Sequence, residues 1–156
     1  MGGRSLTVAM LTYVDSSVLT CAYLRDEPGH GRARELLDPD HLLVTGTLTV
    51  VEVTGVLVRA ARTQRLMDLD GTLAALSSDL GEDGPVTLLA APREAVERPA
   101  TEIVYAHALR GLDAIHLALA EIAAIPLLEE EGDKLGFASR DRFQAQAAEA
   151  LGFALV

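Results

Sequence analysis

The chain has 156 residues, of which 49% are hydrophobic and 23% charged, a composition that excludes an intrinsically disordered chain and favours a single globular domain. Lys and Arg number 13 against 23 Asp and Glu, so the formal net charge is −10, which argues against a protein that coats duplex DNA with a basic face. The single cysteine, Cys21, excludes an internal disulfide and a cysteine-based zinc site.

The first half of the chain predicts alternating strands and helices, after a leader at residues 1–10 that is either flexible or precedes a natural start at Met10. The predicted elements are a strand at 11–14, helices at 18–24 and 31–37, a strand at 41–44 and a helix from 47 to about 65. Asp15 follows the first strand and is of a residue type that caps helix N-termini. Thr47 or Thr49 is expected to cap the last of these helices.

The second half continues the alternation and completes a single domain over residues 11–156. Its predicted elements are a helix from 68 or 70 to 80, a strand at 86–89, helices at 93–109 and 113–124, a strand at 135–139, a helix at 142–151 and a strand at 153–156. Pro99 is expected to kink or split its helix, because proline has no amide hydrogen. The alternation predicts a three-layer α/β domain, in which a parallel sheet of about five strands is flanked by helices.

The composition of the apolar segments predicts a cytoplasmic protein without a membrane partner. No apolar run reaches the length of a membrane span, and the most apolar stretch, residues 115–128, contains His116 and Glu121, which favours a buried helix. Residues 1–10 carry one Arg and no long apolar segment, so they are unlike a secretory signal. A single cysteine is compatible with a reducing compartment.

Four acidic residues stand where α/β domains hold their functional groups. Asp15 follows the first predicted strand and Asp141 the fourth, and the carboxyl ends of parallel strands meet at one edge of the sheet. Glu52 lies in an apolar run and Asp113 opens the most apolar helix, where a carboxylate is costly unless it is paired, hydrogen-bonded or metal-bound. Each acid alone also fits a helix cap, a turn or a solvated position. Together they indicate a site for Mg²⁺ or Mn²⁺, which prefer carboxylate oxygens.

The segments that carry these acids resemble those of the PIN-domain nucleases, and within them the VapC-type toxins of toxin–antitoxin pairs. The resemblance spans essentially all of residues 11–156 and is carried by four motifs: YVDSSVL at 13–19, VEV at 51–53, LDAIHLALA at 112–120 and FASRDRF at 137–143. It implies the fold of that family, which agrees with the α/β domain predicted from the alternation of elements. The chain departs from a typical nuclease in its net negative charge.

The resemblance also implies a set of functional residues, a cofactor and partners. The catalytic and metal-binding residues would be Asp15, Glu52, Asp113 and Asp141, and Ser16 and Ser139 match polar family positions near the metal. The implied activity is that of an endoribonuclease that hydrolyses RNA phosphodiesters with Mg²⁺ or Mn²⁺. The implied partners are RNA, a small cognate antitoxin whose basic side chain pairs with the carboxylates, and a second copy of the chain in a homodimer.

Two further residues have both a functional and a structural interpretation. His116 lies three positions after Asp113 on the same helical face, so it either touches the site or is a hydrogen-bonded histidine packed inside the helix layer. Arg59 lies seven positions after Glu52 and is nearly eclipsed with it on the helix, so it either binds phosphate near the metal or lies on a solvated face. Cys21, at helical spacing from apolar neighbours, is expected in the core.

Two other functions are compatible with the sequence. An Asp-dependent phosphatase or phosphotransfer domain would use Asp15 as nucleophile, but it would call for a second acid at position 17, where Ser17 stands. A catalytically weak PIN module would bind RNA or a protein partner without cleaving it, against which the four intact acids argue. In none of these is stable binding of duplex DNA expected, because of the net charge.

Overall fold

The structure is a computed structural model that describes residues 10–38, 40–129 and 131–156. Its sheet has five parallel strands in the order β3-β2-β1-β4-β5, which confirms the predicted parallel α/β fold. The strands are β1 (Met10–Val14), β2 (Leu42–Gly46), β3 (Val86–Leu89), β4 (Lys134–Ala138) and β5 (Ala154–Leu155). The expected leader lies outside the described residues except for Met10, which belongs to β1.

Seven α-helices flank the sheet in the described part of the chain. They are α1 (Ser16–Tyr23), α2 (His30–Leu36), α3 (Thr47–Arg62), α4 (Leu69–Asp79), α5 (Arg93–His107), α6 (Gly111–Leu119) and α7 (Arg142–Ala150). The end of α6 continues into a π-helical turn, Ala120–Ala124, and a 3₁₀ turn, Ile125–Leu127. None of the described helices has the length and apolar character needed to cross a membrane.

Both faces of the sheet are covered, because successive strand residues point to opposite sides. Tyr13 and Val44 belong to a core built with α5, α6 and α7, whereas their neighbours Val14 and Leu43 belong to a core built with α1 to α4. A strand buried on both faces needs apolar residues at nearly every position, which explains why the strand segments read as short continuous apolar runs.

The start of α3 differs from the prediction that Thr47 or Thr49 caps it. Gly46 is the N-cap residue, and no side chain accepts from the first turn. The Thr49 hydroxyl is instead buried, 2.7 Å from Thr45 Oγ1, and Thr45 Oγ1 donates to the carbonyl oxygen of Val14 at 2.6 Å. These hydroxyls therefore fasten α3 to the end of β1. Because both hydroxyls have partners inside the protein, they do not cap the helix.

Helix α3 ends earlier than predicted, and helix α5 continues where a kink or split was predicted. α3 ends at Arg62, short of residue 65, because Gln64 adopts a left-handed conformation with φ 60°. α5 runs unbroken from Arg93 to His107 with Pro99 inside it, so the expected split is wrong. The lost hydrogen bond falls on the carbonyl of Ala95, an exposed residue where water can replace the missing amide.

Candidate active site

Asp15 lies directly after β1 and is held by the structure on both carboxylate oxygens. It caps α1, with the amide of Ser17 donating to Oδ2 at 3.0 Å, and its own amide donates to the carbonyl oxygen of Ala138 at the end of β4. Gln144 Nε2 donates to Oδ1 at 3.2 Å. Asp15 is only 3% exposed as a residue, so these donors stabilise a charge that burial alone would make costly.

Gln144 is a functional candidate that sequence reasoning missed. Its side chain is completely buried, and Nε2 donates both to Asp15 and, at 3.2 Å, to the carbonyl oxygen of Asp113. Ser139 Oγ donates to Gln144 Oε1 at 2.6 Å, and the backbone amide of Gln144 donates to Oδ1 of Asp141 at 2.9 Å. One glutamine thus ties together the chain segments that carry three of the four acids.

A signal for Gln144 was present in the sequence. Ala147 and Ala148, three and four positions later on α7, are buried in the core. Residues three and four apart share a helix face, so Gln144 occupies an inward position of an amphipathic helix. A polar side chain that faces inward needs hydrogen-bond partners, and that requirement indicates a buried polar network.

Glu52 lies in the second turn of α3 and is held by two donors. His116 Nε2 lies 2.5 Å from Oε1, and Ser16 Oγ donates to Oε2 at 3.2 Å. Partial burial opposes ionisation of Glu52, but these two donors outweigh it and lower its pKa below the ordinary value. His116 Nε2 also lies 3.7 Å from Oδ1 of Asp15, so Glu52 and Asp15 face the same histidine.

His116 itself is completely enclosed in the fold. It is 1% exposed and hydrogen-bonded, and it contacts the two acids described above. Burial would lower its pKa, but the hydrogen bond to Glu52 and the charge of Asp15 raise it above the ordinary value. The sequence left open whether His116 touches the site or is packed inside the helix layer. The structure shows both, since the buried ring contacts Asp15 and Glu52.

Asp113 and Asp141 complete the acidic set. Asp113 is the third residue of α6, which begins at Gly111 after Arg110, so it lies inside the first turn and does not open the helix. Asp141 caps α7. Partial burial raises the pKa of Asp113, and the negative charges of Asp15 and Asp141 raise it further. Asp113 therefore lies close enough to Asp15 and Asp141 for their charges to oppose its ionisation.

The donor set fits a hard divalent cation, although no ready-made site is formed. Within residues 10–38, 40–129 and 131–156, no group of three or more His, Cys, Asp and Glu side chains is arranged to hold a metal ion. The carboxylates of Asp15, Glu52 and Asp141 instead accept hydrogen bonds from the protein. The repulsion at Asp113 is of the kind that a cation relieves, and all the candidate donors are oxygens, which suit Mg²⁺ or Mn²⁺.

A groove of about 610 Å³ runs beside Glu52, between α1 and α3. Arg140 lies at one rim, where Nη1 donates to Oε2 of Glu27 at 3.1 Å and its backbone amide donates to Ser17 Oγ at 3.0 Å. Nη1 also lies 2.7 Å from the sulfur of Cys21, which is buried as expected. The groove thus runs from Glu52 to a guanidinium that is held in place by its ion pair with Glu27.

Arg59 is the second cation of this groove. No described residue forms an ion pair with it, and its Nη1 would lie 3.3 Å from a Cβ placed on Gly55. The guanidinium therefore lies over the bare backbone of Gly55, one helical turn toward Glu52. Glycine costs a helix roughly 1 kcal/mol relative to alanine, and at position 55 it leaves room for the Arg59 guanidinium to lie against the backbone of α3.

Comparison by family models matches residues 12–142 to the PIN domain. A search of curated proteins by similarity finds no match. Among solved structures, PAE2754 from Pyrobaculum aerophilum has a TM-score of 0.63 and 17% identity, over 94% of this chain and 90% of that one.

Two other solved structures are similar to the chain over most of their length. VapC20 from Mycobacterium tuberculosis, described as a sarcin-ricin loop cleaving toxin, has a TM-score of 0.58 and 19% identity, over 92% of this chain and 96% of that one. A toxin-antitoxin complex from Klebsiella pneumoniae has a TM-score of 0.56 and 16% identity, over 93% and 95%. At these identities the likeness establishes the fold.

Proposed function

The chain belongs to the PIN domain family, and on this premise we propose that it is a toxin-type endoribonuclease that hydrolyses RNA phosphodiesters with Mg²⁺ or Mn²⁺. The observation that supports this most directly is that Asp15 and Glu52 both face the buried His116, while Gln144 links Asp15 to the backbone carbonyl oxygen of Asp113. These residues come from distant parts of the chain, and their contacts support a single acidic site beside the groove that Arg59 and Arg140 line.

The four acids would hold the metal ion, which supplies a polarised phosphate and an activated water when it is bound. The other groups of the edge position these ligands. Gln144 orients Asp15, Ser139 orients Gln144, and Ser16 orients Glu52, through the hydrogen bonds described above. Because hydrogen bonds already order the carboxylates of Asp15, Glu52 and Asp141, less conformational entropy is lost when a ligand binds to them.

The groove beside Glu52 is suited to the substrate backbone. Arg59 and Arg140 lie on it in a chain that carries a net charge of −10, and arginine is the side chain best matched to phosphate oxygens. The exposed apolar side chains of Val51 and Leu112 also line it and offer surfaces for nucleobases. RNA would therefore enter along α3 and reach the acids at its N-terminal end.

The proposal includes a cytoplasmic location, a homodimer and a small antitoxin encoded beside the gene. An RNase in the cytoplasm is harmful unless it is inhibited, and the solved neighbours include a toxin-antitoxin complex. A basic antitoxin side chain, most favourably Arg, would pair with the acids and compete with the metal. Co-expression with the adjacent small reading frame tests this: its product should co-purify and restore growth. Failure of both results contradicts the toxin role.

The nuclease activity is tested with Asp113→Asn and the matched variant Asp70→Asn, which removes an acid from the first turn of another helix, α4. The purified proteins are incubated with total RNA and Mg²⁺ or Mn²⁺, with and without EDTA, and the new RNA ends are sequenced. We expect metal-dependent cleavage by the wild type and by Asp70→Asn, and its loss in Asp113→Asn. Binding of RNA without cleavage would favour the weak PIN module instead.

A further inference from the structure

A chain of hydrogen bonds leads from the backbone of β2 to Glu52 through two buried side chains. The amide of Gly46 donates to Tyr13 Oη at 3.0 Å, and Tyr13 Oη lies 2.7 Å from Nδ1 of His116. The other ring nitrogen of that histidine, Nε2, lies 2.5 Å from Oε1 of Glu52. Tyr13 is completely buried, as is His116, so water does not compete for these bonds.

The Gly46 amide can only donate, so Tyr13 Oη accepts from it, and the Tyr13 hydroxyl hydrogen can be donated to Nδ1 of His116 when the ring is neutral. With Nδ1 accepting, the neutral imidazole carries its hydrogen on Nε2 and donates it to Glu52. Protonation of the ring would leave the Nε2 donor in place. The hydrogen bond to Glu52 is therefore present in either charge state.

Gly46 makes this arrangement possible through the lack of a side chain. A Cβ at this position would lie 2.9 Å from Tyr13 Oη, closer than real Cβ atoms come to a neighbour. Tyr13 is further fixed on its ring face by Phe137, whose ring stacks on it at a centroid separation of 5.4 Å. The chain therefore starts from a rigid backbone donor and a ring that cannot rotate away.

We propose that Tyr13 and His116 are positioning residues that hold the Glu52 carboxylate toward Asp15 and so raise the affinity of the site for a divalent cation. The inference rests on the proposed function only in taking Glu52 as a metal ligand. Ligand-orienting partners of this kind typically change metal affinity or activity by 10- to 100-fold when they are lost. The hydroxyl of Tyr13 acts through the histidine, so its loss should lie at the low end of that range.

The first test compares Tyr13→Phe with Tyr23→Phe by calorimetric titration with Mn²⁺ in the absence of RNA. Both variants remove a phenol hydroxyl that is hydrogen-bonded in the interior, since Tyr23 Oη donates to Asp79 at 2.6 Å on the other side of the sheet. We expect the apparent Kd for Mn²⁺ to rise about tenfold in Tyr13→Phe and to stay at the wild-type value in Tyr23→Phe. Equal affinities in all three proteins, or equal loss in both variants, would overturn the proposal.

The second test uses His116→Gln and His116→Leu. The glutamine amide can donate to Glu52 where Nε2 does, whereas leucine fills the space without a donor. We expect Mn²⁺ affinity and kcat to be partly retained by glutamine and lost with leucine, with KM for RNA changed less than twofold in His116→Gln. If glutamine and leucine lower the affinity equally, the proposal is wrong. A wild type that binds Mn²⁺ but cleaves no RNA would refute the nuclease function, while the affinities still decide the positioning role.

Discussion

The two faces of the sheet each bury a tyrosine, and they use its hydroxyl in different ways. On the α1–α4 side, Tyr23 Oη of α1 donates to Asp79 of α4, and the same carboxylate lies 3.9 Å from Arg34 of α2, so this contact joins three helices and involves none of the four acids. On the other side, Tyr13 is one link of a chain that ends at Glu52 beside an open groove.

This difference separates polar contacts that stabilise from polar contacts that also prepare a site. Burial raises the pKa of both tyrosines, so both stay protonated and both can donate. Of these two networks, only the one at the end of β1 lies beside an acid with a raised pKa, Asp113, which partial burial and the charges of Asp15 and Asp141 together raise. Variants matched between the two regions should therefore lose different properties.

The largest effect is expected from Asp15→Asn compared with Asp68→Asn. Both residues are helix N-caps, accepting from Ser17 in α1 and from Gly71 in α4, and asparagine caps about as well as aspartate. We expect Asp15→Asn to lower kcat for RNA cleavage by about 100-fold or more, because a metal ligand loses its charge. Asp68→Asn should retain wild-type cleavage.

The thermal stability of Asp15→Asn and Asp68→Asn shows whether a loss of cleavage comes from the site or from the fold. Asp15→Asn relieves the repulsion that raises the pKa of Asp113, but asparagine offers one oxygen to the two donors that Asp15 accepts from. The two effects oppose each other, so Tm without metal should stay close to the wild-type value. Differential scanning calorimetry in EDTA measures this. If Asp15→Asn is largely unfolded at the temperature of the activity assay, its loss of cleavage reflects the loss of the fold. The distinction between the two regions would then not hold.

The next effect is expected from Gln144→Leu compared with Gln146→Leu on the same helix. Gln146 is exposed, whereas Gln144 is completely buried and donates to Asp15. Loss of its amide leaves buried polar atoms unpaired, so the free energy of unfolding should fall by about 1–3 kcal/mol. Cleavage should fall by about tenfold. Chemical denaturation and initial rates measure the two effects, and Gln146→Leu should change neither.

The sequence was sufficient to predict the succession of strands and helices along the chain and the positions of Asp15 and Asp141 at the ends of β1 and β4. Asp15 after β1 and Asp141 before α7 are local signals, because a polar cap follows directly after an apolar strand. The errors were also local in origin: Thr47 and Thr49 look like caps until the contact with Thr45 is known. Pro99 looks like a break until the exposure of Ala95 is known.

The partners of the acids could not be predicted from local pattern. Tyr13 and His116 are 103 positions apart, and Asp15 and Gln144 are 129 apart. These pairs meet because β1 lies at the centre of the sheet beside β4, an order that periodicity does not specify. Tyr13 in particular reads as an ordinary apolar strand residue, and only its distance to the histidine distinguishes it.

A smaller effect is expected in the groove, from Arg59→Ala and Gly55→Ala compared with Arg62→Ala. Arg62 is exposed on the last turn of α3, outside the groove. Loss of a phosphate contact should raise KM for RNA severalfold and reduce its salt dependence, with kcat retained. Arg62→Ala should match the wild type in steady-state kinetics at two salt concentrations.

Gly55→Ala tests the same contact without removing a charge. The new Cβ would lie 3.3 Å from Arg59 Nη1, so the guanidinium must shift, while alanine favours the helix. We expect a Tm that is unchanged or higher together with a raised KM. A raised Tm with wild-type KM would show that the place of Arg59 over residue 55 has no part in binding RNA.

The smallest effect concerns Glu121, a partly buried acid of the π-helical turn that has no hydrogen-bond or ion-pair partner among the described residues. Burial raises its pKa above the ordinary 4.5, so the folded state binds a proton more tightly than the unfolded state. Stability from this residue is complete below pH 4.5 and is lost as the pH rises through the raised pKa. Glu121→Gln should therefore have a slightly higher Tm than wild type at pH 7 and an equal Tm below pH 4.5. The control, Glu149→Gln, makes the same charge change at an exposed position of α7. If both variants shift Tm equally at pH 7, net charge and not burial is responsible. The contrast between Glu121, which has no donor in the described part of the chain, and Asp15, which accepts from two, would then not explain the effect.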